Sequence, residues 1–404
     1  MGLLTNFINS SGIDIGLNLV EKSYLIDNYP DLANTFKFAG LWLWGQNNYG
    51  QLGNNAGGLN LGKSSPVQTV SGGANWKSVA LGNASSAAAI KTDGTLWLWG
   101  RNTYGQLGDN TRTSRSSPTQ TVPGGTNWRL VSGGSPTTSA IKTDGTLWLW
   151  GKNQYGELGN NTRTRTSSPI QTVSGGTNWK LVASCEYQSI AIKTDGTLWT
   201  WGYNSLGQLG DNTRTSRSSP IQTVAGGTNW KSVDCNHRMA AGIKTDGTLW
   251  NWGFNSDGQL GDNSITSKSS PVQTVAGGTN WKSVAVGTSF ITGIKTDGTL
   301  WLWGRNDNGQ LGDNTIVKKS SPVQTVSGGT NWKLVSCCYY WVAGIKTDGT
   351  LWLWGNNNYG NLGDNTIVKK SSPVQTVSGG TNWMSVEVGT TITAAIRDNS
   401  NDYI

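Results

Sequence analysis

"DGTLWLWGKNQYGELG", Asp144 to Gly159, decides the architecture of this chain. In its first half Trp148 and Trp150 fall on one side of an extended segment, Leu147 and Leu149 on the other, by the two-residue period of a strand. Both sides are apolar, so this strand must be covered on both faces. Thr143-Asp144-Gly145 before it reads as a tight hairpin whose glycine takes a positive φ. Working outward, Ser116–Val122, Trp128–Val131 and Thr138–Lys142 read as three more short strands, giving four per unit.

The unit recurs. LWxWGxN begins at Leu41, Leu96, Leu147, Leu198, Leu249, Leu300 and Leu351, and after the first gap of 55 the spacing is 51 throughout. NWxxV also occurs seven times, and the two motifs hold every tryptophan except Trp341. Asp313–Trp332 is repeated letter for letter as Asp364–Trp383. A strict period of this size implies a solenoid or a propeller. Four-stranded units with two greasy faces, repeated seven times, pack radially as blades. The ends favour a ring: Leu41–Gly45 has no KTDG before it, and Thr393–Arg397 has no LWxWG after it. The expected fold is therefore all-β, a closed seven-bladed β-propeller over residues 38–404. Leu41–Gly45 should complete the blade that contains Trp383.

Composition bounds the remainder. The chain has 404 residues, one His, four Cys and a formal net charge of +8, which allows anionic partners without naming one. Four cysteines in this length do not make a disulfide framework. No apolar run is long enough to span a membrane, and no classical signal peptide is visible, so the compartment is unreadable. Residues 1–37 lie outside the repeat. Ile13–Leu19 alternates strictly and reads as one half-buried strand; Val20–Tyr29 reads as a short helix stopped by Pro30, with a further turn from Asp31 to Phe38. This segment is either a cap against the ring or a docking element for a larger assembly.

At WGxNxxGQLG (Trp99–Gly108, Trp303–Gly312) and DGTLWxWG the chain resembles the regulator of chromosome condensation repeat family. That resemblance implies a seven-bladed propeller. For function it implies less, because the family includes a nucleotide exchange factor, an enzyme-inhibiting binder and many members with no known role. The layout, a short non-repeat head before an array, is also loosely similar to repeat-propeller proteins of tailed bacteriophages.

Compared with one another, the copies differ in three places: the segment after NWxxV, the residue after WG, and the stretch before SSP. Strand parity sends the TDG and SGGTNW turns to one side of the ring, and the loops after NWxxV and WG to the other. Unconstrained loops drift toward small polar residues. Glu186-Tyr187-Gln188, Asn236-His237-Arg238, Phe290 and Tyr339-Tyr340-Trp341 are instead the types that anchor binding surfaces, as are Tyr203 and Phe254 after WG. These twelve residues are the expected contacts for a protein or glycan ligand.

No catalytic site, metal site or cofactor is expected. The Asp of each KTDG and LGDN recurs as turn chemistry, GQLGDN lacks a phosphate-loop lysine, and His237 has no CxxC companion. Twelve basic residues precede the SSP motifs, among them Arg112, Arg163, Arg214, Lys318 and Lys369. An anionic polymer is the less favoured partner for this rim because no aromatics interleave with the charges. The expected role is non-enzymatic recognition or display, on a virion if the phage-like layout is meaningful, with residues 1–37 docking it there. The alternatives are a guanine-nucleotide exchange factor by family analogy and a purely structural or decoration subunit. The uniform period argues against the exchange factor, whose activity in the family depends on an inserted wedge.

Overall fold

A computed structural model describes residues 39–398, apart from 71–74, 83–84, 123 and 134–135. The segment 1–37, with its expected strand and helix, lies outside the described residues. Twenty-eight strands, β1 (Ala39–Gly45) to β28 (Ile392–Asp398), form seven four-stranded antiparallel sheets. Blades 1 to 6 each take four consecutive strands, and their inner strands begin at Trp76, Trp128, Trp179, Trp230, Trp281 and Trp332. Blade 7 joins the two ends of the chain: its order is β2 (Lys63–Gln68), β1, β28, β27 (Trp383–Val388). Leu41 pairs with Ile396 and Trp44 with Thr393, so the ring closes as the missing hairpin implied. The SSP strand, read as the first of each unit, is the outer strand of the preceding blade.

The motif residues hold one blade to the next. The second Trp of LWxWG is fully buried and, in every blade but that of Trp303, donates its Nε1 to a carbonyl of the preceding blade: Trp150 to Gln106 at 2.9 Å, Trp201 to Glu157 at 2.8 Å. Trp44 makes the same bond to Asn361 at 2.8 Å, across the closure. It meets the NWxxV tryptophan of its own sheet edge-on, as Trp201 meets Trp179 at 6.2 Å. The first Trp donates to a threonine that the KTDG aspartate fixes. Trp148 Nε1 reaches Thr146 Oγ1 at 2.9 Å, and Asp144 accepts from the Thr146 hydroxyl at 2.7 Å. Each KTDG lysine lies between two tryptophans; Lys142 Nζ is 4.9 Å from the Trp128 ring and 4.7 Å from the Trp148 ring.

Two glycines explain the turns. Gly145 has φ 81°, and a Cβ there would meet the Thr177 carbonyl oxygen at 2.0 Å. Gly159 has φ 63°, and its Cβ would meet Trp201 Nε1 at 2.9 Å. Both lie where one blade touches the next, so the copied residues are those that adjoin another copy.

Candidate functional site

Each blade's third strand leads into a loop whose hub is the Asn of WGxN. Asn153 Oδ1 accepts from Leu158 N at 2.9 Å, and its Nδ2 donates to the carbonyls of Thr162 and Thr164 at 3.2 and 3.0 Å. This fixes the backbone while leaving the residues around Asn153 free to vary. Lys152 and Tyr155 of blade 2 therefore project from a rigid support. So does Tyr203 of blade 3, whose backbone N donates to the Tyr187 carbonyl at 2.7 Å and so ties in the loop of Glu186 and Tyr187. Across the next junction stand His237 and Arg238 of blade 4.

These residues converge. Tyr155 is 4.5 Å from Tyr203 and 5.6 Å from Tyr187, ring to ring. Tyr187 also meets Tyr203 at 5.9 Å and His237 at 4.9 Å. Lys152 Nζ lies 4.3 Å from the Tyr187 ring centre, and the Arg238 guanidinium 5.8 Å from that of Phe254. His237 Nδ1 donates to Glu186 Oε2 at 2.6 Å. Burial raises the Glu186 pKa, but hydrogen bonds from His237 and Tyr187 outweigh it and hold the carboxyl below its usual range. Burial, then the Glu186 carboxylate, pushes the Tyr187 hydroxyl well up. The cluster thus presents aromatic faces, one fixed carboxylate and the exposed Arg238.

A second group lies on blades 5 and 6. Arg305 donates to Asp307 at 2.6 Å and to the Tyr340 hydroxyl at 3.3 Å, and Tyr340 stacks on Tyr339 at 4.3 Å. Tyr339 is 43 % exposed with φ 32°, the left-handed region that a bulky side chain adopts only at a cost of about 1–2 kcal/mol.

Four of the expected contacts are corrected. Gln188, Phe290 and Trp341 are not loop residues: each begins the second strand of its blade and is buried, Phe290 and Trp341 to within 1 %. Each pairs with the Gly of LWxWG (Gln188 with Gly202, Phe290 with Gly304, Trp341 with Gly355), where its own backbone comes too close for a Cβ. Trp341 packs with Trp44, Cys338 and Trp383 in the core between blades 6 and 7. Asn236 is buried too, its Nδ2 donating to the Val286 carbonyl at 3.1 Å. Gln188, Phe290 and Trp341 thus open the strand after the loop, and Asn236 ends the strand before it. Glu186, Tyr187, Tyr203, His237, Arg238, Phe254, Tyr339 and Tyr340 remain partly or fully exposed on the loop side.

The inner strands line an axial cavity of about 310 Å³. Here the residue after NWxxV ties alternate blades to the next. Ser132 Oγ accepts from Ser184 N at 3.0 Å, Asp234 Oδ2 from Val286 N at 2.7 Å, and Ser336 Oγ from Val388 N at 3.1 Å. Asp234 and Glu387 open onto this cavity but are otherwise enclosed; enclosure pushes each pKa up to about 7. Cys185 and Cys235 are joined as a disulfide between blades 3 and 4, a single bond rather than a framework. Cys337 and Cys338 are buried outside that bond. Sequence reasoning missed these ties, although the column of Ser132, Asp234 and Ser336 among alanines carried the signal. It also passed over Lys152, Tyr155 and Arg305 as contacts.

The basic stretches before SSP are partly neutralised. Arg115 pairs with Asp109 at 2.9 Å, Arg217 with Asp211 at 3.1 Å and Lys370 with Asp364 at 3.6 Å. Among the described residues no group of three or more His, Cys, Asp or Glu is placed to hold a metal ion.

The model of the regulator of chromosome condensation (RCC1) repeat matches seven times, at residues 40–89, 93–141, 144–192, 195–241, 246–294, 297–344 and 348–396. The ultraviolet-B receptor UVR8 of Arabidopsis thaliana is 31% identical over 296 residues, 70% of this chain and 64% of its own length. The mitochondrial RCC1 domain-containing protein RUG3, also of Arabidopsis thaliana, is 25% identical over 76% of each chain. The human E3 ubiquitin-protein ligase HERC2 is 27% identical over 60% of this chain, which spans 5% of that protein. Among solved structures, yeast RCC1 (Prp20) bound to Kap60 superposes with TM-score 0.79 at 17% identity, covering 91% of both chains. Human WBSCR16 does so with TM-score 0.77 at 20% identity, covering 89% of this chain and 99% of its own.

Proposed function

Because the chain belongs to the regulator of chromosome condensation (RCC1) repeat family, we propose that it is a non-enzymatic recognition propeller. It binds a partner protein through the loop side of the ring. The observation that carries this is the Tyr155–Tyr187–Tyr203–His237 cluster, assembled from three consecutive blades, with Lys152 and Arg238 beside it. Tyrosine and arginine give large, rigid contact area at low entropic cost. Tyr339 supports the same reading, since backbone strain at an exposed aromatic is a mark of function rather than of drift. A solved yeast relative, Prp20p, is described by its binding to Gsp1p and histones, so a protein is the partner class favoured over a glycan.

The exchange-factor alternative rests on family analogy, and the spacing, 51 residues after a first gap of 55, leaves no blade room for an inserted wedge. The relatives above are plant, human and yeast proteins, so placement on a virion rests on the sequence layout alone.

The test is a screen of the intact chain against surface-protein and glycan panels, with each hit remeasured on Tyr187→Ser/Arg238→Ala. Removal of two such anchors should weaken binding at least about tenfold. Unchanged affinity for every hit would refute the site.

A further inference from the structure

The loops that precede the SSP motifs form a continuous rim on the loop side. Each is bonded to its neighbour: Asn263 N donates to Ser320 O at 3.0 Å, Asn314 N to Ser371 O at 2.9 Å and Asn365 N to Ser64 O at 3.1 Å. Along this rim the side chains change character by halves. Blades 1 to 3 expose arginines, Arg112, Arg163 and Arg214. Blades 4 to 6 expose aliphatics at the corresponding places, Ile265, Ile316-Val317 and Ile367-Val368, and the longer loop of blade 7 exposes Leu59. Exposure there is high, 61 % for Ile316, 68 % for Ile367 and 80 % for Leu59. Single exposed aliphatics need no explanation, but a contiguous arc over four adjoining blades does. The seven exposed valines on the opposite side, such as Val173 and Val326, occur one to a blade and single out no place.

Lys318, Lys319 and Lys369 flank the arc. Lys318 pairs with Asp257 at 3.6 Å; for Lys369 the bond is to the Asp307 carbonyl, which leaves its charge unneutralised. An occupant must therefore bring aliphatic side chains and carboxylates together. A second copy of the arc would set lysine against lysine.

We propose that the arc is covered by residues 13–31 of the same chain. In the sequence Ile13, Ile15, Leu17 and Leu19 alternate with Asp14, Gly16 and Asn18, the pattern of a strand that needs an apolar surface to cover one side. Asp14, Glu21, Asp27 and Asp31 outnumber the one lysine of this stretch, Lys22. The arc ends at Leu59, in blade 7, the blade that the chain enters at Ala39. Residues 32–38, the link left between that stretch and β1, span up to roughly 25 Å when extended. That exceeds the thickness of a ring whose strands are five to seven residues long.

The test is zero-length carbodiimide cross-linking of the full chain, read by mass spectrometry, with an equimolar mixture of ¹⁵N-labelled and unlabelled protein. Links should join Asp14 or Glu21 to Lys318, Lys319 or Lys369 within one isotopic population. Links to Lys77 or Lys180 on the other side, links between populations, or none at all would overturn the proposal. As a second readout, Ile316→Ser/Ile367→Ser should speed amide exchange over residues 13–19 at least tenfold. Exchange equally fast in the unsubstituted chain would also overturn it.

Discussion

Tyr339 and Trp341 are two residues apart, and the structure gives them opposite roles. Trp341→Ala empties a site that is 1 % exposed and packed by Trp44, Cys338 and Trp383. A buried Trp→Ala replacement costs about 3–5 kcal/mol. Unfolding entropy of about 2.1 cal/mol/K per residue gives roughly 0.8 kcal/mol/K for a ring of this size. The expected fall in Tm is therefore about 4–6 °C. Tyr339→Gly removes an exposed ring and relieves a residue held at φ 32°, so its Tm should stay level or rise by up to about 1 °C. Thermal melts followed by circular dichroism, at one protein concentration and scan rate, separate the two. Equal shifts, or a larger loss for Tyr339→Gly, would refute the boundary drawn between loop and core. It would also remove the ground for treating Tyr339 as a contact.

Other outcomes follow from named groups. Leu43→Asp puts a lone carboxylate into the fully buried centre of β1; it should destabilise the protein by several kcal/mol and open blade 7 to protease before any other blade. Asp234 and Glu387 hold their protons more tightly folded than unfolded. Their stabilising effect is complete below about pH 4 and is lost as pH rises through about 7. Asp234→Asn should flatten the decline in Tm between pH 5 and 8 and leave the protein more stable at pH 8; an unchanged slope refutes the assignment. Alkylation of denatured, unreduced protein should label Cys337 and Cys338 but not Cys185 or Cys235, as peptide masses will show.

The architecture was legible because its determinants are copied. Trp150, Gly159 and Asn153 each make the same contact in blade after blade, so their spacing states the geometry directly. Blade 7 was legible for the complementary reason, that each chain end lacks what the other has. The site was legible only in part. Tyr187 and His237 stood out by residue type, but no period indicates that Lys152 and Tyr155, some thirty residues earlier, would reach them across a blade junction. Phe290 and Trp341 misled because a buried aromatic that opens a strand looks, in sequence, like one offered to a ligand by the loop before it. The disulfide links residues 50 apart, about one period, a separation that marks neighbouring blades without marking a bond.

Blade 7 is the one sheet made from two distant stretches of chain, and this has an evolutionary corollary. Asp313–Trp332 and Asp364–Trp383 are identical, so their coding segments are ready substrates for unequal crossing-over. Loss or gain of one 51-residue unit leaves the same two half-sheets at the termini, still able to clasp. The clasp therefore does not count blades. The tally of seven is kept by the wedge angle at which tryptophan-filled neighbours meet, and drift in that angle is what would let a lineage settle on six or eight.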